Sequence, residues 1–138
     1  MASSYTAKLK SFQKVVNHLS SANSQPEIPA EFWIPTMITY FKLSFELAWK
    51  TMKKHMQDRS IDAAAIGSPR DILKLAYREG YIIDDKIWLD MLEDKNTMEH
   101  QYDDEVSKDI LEKIGTVYLP EFERLVSHLT SLSTSYFE

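Results

Sequence analysis

The chain has 138 residues, of which 43% are hydrophobic and 27% charged. That is enough apolar material for one globular core and too much for a disordered polymer. It holds 3 glycines, 5 prolines and no cysteine, which excludes disulfides, thiolate chemistry and cysteine-based zinc sites, and leaves little turn chemistry for a β-sandwich. The net charge of −5 argues against broad electrostatic binding of nucleic acid.

The periodicity is helical almost throughout. Tyr5, Leu9, Phe12, Val16 and Leu19 recur at helical spacing, with Ser3 or Ser4 fitting the cap. Residues 20–29 read as a polar loop. A second helix is expected over 29–56, with Pro29 in its first turn. Ile34, Met37, Ile38, Phe41, Phe45, Trp49, Met52 and Met56 would form one apolar face, and Trp33, Tyr40, Leu43 and Leu47 a second. A helix apolar on two sides is central to a fold or also part of a subunit interface. Lys42, Glu46 and Lys50 lie four apart on its polar side, and Glu46 precedes Lys50 in the favourable order for an ion pair.

Residues 62–67 form a connector. Ser68-Pro69 then opens a short helix that Gly80 closes. Asp84 or Asp85 caps the next helix, which turns Ile87, Trp88, Met91 and Leu92 inward. A last helix is expected over 104–132, with Val106, Ile110, Ile114, Val117, Leu125 and Leu129 inward and a kink near Gly115–Thr116 caused by Pro120. Residues 130–138 should fray. The fold class is therefore all-α: an antiparallel four-helix bundle with an extra short helix, in one domain over 1–138. No apolar run approaches the roughly 20 residues of a membrane span, and a cytoplasmic protein is expected. No Gly-rich phosphate loop or metal-ligand spacing stands out, so no cofactor and no metal is expected. His18, His55 and His128 read as isolated surface or half-buried residues.

The segment Lys95-Asn96-Thr97-Met98-Glu99-His100-Gln101-Tyr102 differs from the rest. It lies in an acidic stretch, 84–105, that carries nine acidic residues against two basic ones. On a continuous helix Lys95 and Glu99 can pair, and His100 sits over Asn96. Lys95 and His100 diverge, so they meet at one phosphate only if the helix end distorts or if two copies face each other. A histidine and a cation suit RNA cleavage by the 2′-hydroxyl: the histidine moves the proton and the cation stabilises phosphoryl charge. The same spacing also describes a surface ion pair followed by a polar helix end.

Four stretches, read together, carry a resemblance: 41–50 (FKLSFELAWK), 68–71 (SPRD), 87–96 (IWLDMLEDKN) and 100–103 (HQYD). In that order they resemble the nucleotidyltransferase substrate-binding proteins of the HEPN superfamily, close to the HepT toxins, over about residues 5–130. The resemblance implies a helical-bundle homodimer with its motif, Arg-Asn-x-x-x-His-x-Tyr, at the dimer cleft. It implies a partner, a small MNT-type nucleotidyltransferase, and a metal-independent ribonuclease that this partner silences by attaching AMP to the tyrosine. Carried over by position, Lys95 takes the place of the arginine, Asn96 supports, His100 is the general acid/base, and Tyr102 is the modification acceptor. Lys95 keeps the charge but lacks the planar fork that grips two phosphate oxygens, which weakens the implied nuclease. The alternative that the resemblance implies is a non-catalytic substrate-binding subunit of a two-component nucleotidyltransferase.

Overall fold

The computed structural model describes residues 4–25, 27–100, 106 and 108–136, with side chains described as far as 133. It is all-helical: α1 (Ser4–Asn23), α2 (Ala30–Asp58), α3 (Pro69–Arg78), α4 (Asp85–Glu99), α5 (Lys108–Lys113) and α6 (Leu119–Tyr136). A short 3₁₀ turn (Asp62–Ala64) links α2 to α3, and a π-helical turn (Ile114–Tyr118) joins α5 to α6. Among the described residues no helix is long and apolar enough to cross a membrane.

Local chemistry sets the helix ends. Pro29 stands just before α2 rather than in its first turn: its ψ is 141°, and its carbonyl accepts from the N–H groups of Phe32 and Trp33. At α3, Ser68 and Asp71 form a reciprocal capping box ahead of Pro69. Gly80 has φ +85°, the left-handed conformation that lets Tyr81 N–H return to the Ala76 carbonyl. At α4 it is Asp84 that caps, its carboxylate accepting from the N–H groups of Lys86 and Ile87.

The long C-terminal rod is disturbed where Pro120 required it, but by an extra residue in the winding. Proline has no N–H to offer the Thr116 carbonyl, and Leu119 N–H bonds to Ile114, five residues back. The wider turn changes the phase of the apolar stripe. Tyr118 and Phe122 are buried, whereas Val117, expected inward, is exposed. A uniform α-helical period could not foresee that exchange.

One apolar cluster runs through the bundle. Phe12, Phe41, Phe45, Met52, Ile72, Trp88, Ile114, Phe122 and Leu125 are fully shielded from solvent within it. Phe122 is the hub of its aromatic part, with ring centroids 5.7 Å from Trp88, 6.1 Å from Phe41 and 6.3 Å from Phe12. The second face of α2 is only partly covered. Trp33 donates its indole N–H to the Ala22 carbonyl at 2.8 Å, Tyr40 stacks on His18, and Leu43 stays exposed.

A polar group interrupts this core. His55, expected as a surface or half-buried residue, is buried. Its Nδ1 lies 2.5 Å from the Tyr81 hydroxyl, and Arg59 donates to that same oxygen at 3.0 Å. A Tyr81 hydroxyl that accepts from Arg59 can give its own hydrogen to a neutral His55 ring. Tyr5 packs against the His55 ring at 4.8 Å and donates its hydroxyl hydrogen to the Leu129 carbonyl. Burial, helped by the Arg59 charge, pushes the His55 pKa below its ordinary value.

Two outcomes follow. Phe122→Ala should cost about 3–5 kcal/mol in urea denaturation, because three rings lose their common neighbour. The unfolded chain binds a proton at His55 before the folded chain does. Stability linked to His55 is therefore complete above about pH 6.5 and is lost as pH falls below it toward the lower folded value. Urea midpoints measured from pH 7.5 to 5 should decline more steeply for the native chain than for His55→Gln.

Candidate functional site

The segment singled out in the sequence forms the last turns of α4. Trp88, Met91, Leu92 and Met98 bury one side of that helix. Two polar clamps hold its flanks. On one flank Asp94 accepts a hydrogen bond from the Tyr118 hydroxyl at 2.5 Å and an ion pair from Lys113 at 3.1 Å. Burial first, and then the Asp94 carboxylate, push the Tyr118 pKa well above the usual tyrosine range, so its hydroxyl stays a donor. Further up α4, Trp88 donates its indole N–H to Glu121 at 3.1 Å, and Arg124 pairs with the same carboxylate.

On the other flank Lys95 reaches α2. Its ammonium is 3.2 Å from Oε1 of Glu46 and 3.7 Å from Glu99, and its side chain is only 18% exposed. The other oxygen of Glu46, Oε2, is 3.5 Å from Lys50. One carboxylate therefore bridges two lysines from different helices. The Lys95–Glu99 and Glu46–Lys50 pairs were legible as four-residue spacings. The Lys95–Glu46 pair was not, because it joins residues 49 positions apart.

Asn96 and His100 are exposed. His100 is the C-cap residue of α4, with φ −110° and its backbone N–H on the Thr97 carbonyl. Five residues of α-helix separate Lys95 from His100 by about 140° around the axis, so one copy does not aim both groups at one point. Among the described residues no hydrogen bond joins the Asn96 amide to the His100 ring. Tyr102 lies outside the described residues. Among the described residues no group of three or more acidic or histidine side chains is arranged to hold a metal.

The end of α4 is therefore clamped to α2 and to the π-helical turn. It offers a shielded cation, tied to Glu46, and an exposed imidazole at the helix terminus. Chemically, such a pair can neutralise a phosphoryl oxygen and move a proton, provided Lys95 exchanges Glu46 for phosphate. Sequence reasoning missed Glu46, Asp94 and Tyr118 as positioning groups, although the first two fall inside the stretches that carried the family resemblance.

Comparison with known proteins gives the same family. The model described as "Nucleotidyltransferase substrate binding protein like" matches residues 3–131. A protein of Haemophilus influenzae described as "Probable ribonuclease HepT" is 33% identical over 104 residues, which cover 72% of this chain and 71% of that protein. The chain belongs to the nucleotidyltransferase substrate-binding protein-like family, on its HepT-like side.

Proposed function

We propose that this chain is the HepT-like HEPN component of a toxin–antitoxin pair, a metal-independent endoribonuclease silenced by an MNT-type nucleotidyltransferase. The observation that carries the reading is the sequence match to a ribonuclease-named relative, together with the exposed His100 closing the helix that bears Lys95. In this reading His100 takes the proton from a ribose 2′-hydroxyl. The 2′ oxygen attacks the adjacent phosphorus, the bond to the 5′ oxygen breaks, and that oxygen takes a proton as it leaves. Lys95 stabilises the charge gathered on the phosphoryl oxygens. Because Lys95 and His100 diverge on one helix, the active unit is a homodimer in which two α4 ends face each other, the second His100 serving as the acid. Tyr102 is the residue that receives AMP. The protein acts in the cytoplasm.

One specific feature favours a second reading, a non-catalytic substrate-binding subunit. Lys95 is paired with two carboxylates, and as lysine it lacks the fork of the family arginine. In that case the chain docks to the nucleotidyltransferase and cleaves no RNA.

Expression of the chain alone should arrest growth, and co-expression with the nucleotidyltransferase encoded beside it should relieve the arrest. His100→Ala should abolish toxicity without loss of folding. Lys95→Arg should raise RNA cleavage by about 10-fold or more, since it adds a second hydrogen bond to the developing phosphoryl charge. A harmless native chain that stays harmless as Lys95→Arg, yet co-purifies with the nucleotidyltransferase, would establish the second reading.

A further inference from the structure

Outside the α4 terminus, one surface stands apart from the acidic character of the chain. A groove of about 380 Å³ between α1 and α2 is lined by Lys8, Trp49, Lys50, Lys53, Lys54 and Gln57. Two of the four lysines have carboxylate partners: Lys50 is paired with Glu46 and Lys54 with Asp58 at 3.0 Å. The ammonium groups of Lys50 and Lys53 lie 5.7 and 6.0 Å from the centre of the Trp49 ring. The indole Nε1 of Trp49 is buried and has no hydrogen-bond acceptor among the described residues. The four lysines concentrate positive charge in a chain whose net charge is −5.

The groove is joined to the candidate site. Glu46 holds Lys50 on one oxygen and Lys95 on the other. One carboxylate therefore links a lysine of the groove to the lysine of the site. Lysines around an aromatic ring are the usual means of holding a single nucleic-acid strand without reading its sequence.

We infer that the Lys8–Trp49–Lys53 groove binds the phosphate backbone of single-stranded RNA and leads the strand to Lys95. The inference rests on the ribonuclease reading and names the surface that reading lacks. Phosphate oxygens replace Glu46 as the partners of Lys50 and then of Lys95. Strand binding in the groove thereby frees the cation needed at the cleavage point.

The test uses the full-length chain carrying His100→Ala, so that RNA stays intact, and a labelled single-stranded RNA oligonucleotide followed by anisotropy across a potassium chloride series. Adding Lys8→Gln and Lys53→Gln should weaken binding and reduce the slope of log K against log salt by about 0.7 for each lysine that neutralises a phosphate. Urea midpoints of the two proteins should agree. RNA should also quench tryptophan fluorescence, and Trp49→Phe should remove that quench. Equal affinity and equal slope with and without the two lysines would overturn the groove, as would no RNA binding by the parent. Loss of nucleotidyltransferase binding with unchanged RNA affinity would overturn it too, making the groove a protein-docking face. If binding depends on the lysines but the native chain never cuts RNA, the groove stands and the ribonuclease reading falls.

Discussion

The burial of α2 is the constraint on which the rest depends. This helix carries Met37, Ile38, Phe41, Phe45, Met52 and Met56 into the core, and α1, α3, α4 and α6 all pack on it. Burying a side chain of that size contributes about 1.5–3 kcal/mol, so its register is fixed many times over. Any group on the flank of α2 is consequently held in place. Glu46 is such a group, one residue beyond buried Phe45. Its carboxylate meets Lys95 because α2 and α4 pack on each other.

That arrangement governs the electrostatics of the α4 terminus. Lys95 has the carboxylates of Glu46 and Glu99 as its counter-ions. Pairs at this degree of exposure contribute little to stability, about 0–1 kcal/mol. The opposite clamp, Tyr118 and Lys113 on Asp94, joins α4 to the π-helical turn. The turn that Pro120 enforces thus also brings Tyr118 inward to hold the helix that bears the candidate site.

Much of this was legible in the sequence, and the gaps have physical causes. Helix positions followed from apolar spacing, because a buried stripe must repeat with the winding of the helix. Ser68, Gly80 and the pair Asp84 or Asp85 declared their helix ends, since capping is local chemistry, and the structure has Asp84 as the cap. Val117 was misassigned because a π-helical turn breaks the period on which such reading relies. His55 was expected as a surface or half-buried residue because its partners, Tyr81 and Tyr5, are distant in the chain. The residues of the α4 terminus could be listed from the sequence, but the bridge through Glu46 could not. The nearer Lys50 already satisfied Glu46 by spacing, and nothing local announces a second partner from another helix. The groove at Trp49 was hidden for a similar reason: Lys8 comes from α1, so the cluster exists only once α1 and α2 are packed.

In the proposed function the end of α4 cuts RNA through the 2′-hydroxyl. The most direct measurement is the chemistry of the ends left when the purified native chain is incubated with RNA in the presence of a chelator. Fragments ending in a 2′,3′-cyclic phosphate, with 5′-hydroxyl partners, are the predicted result. Intact RNA, or fragments bearing 5′-phosphates, would rule that function out.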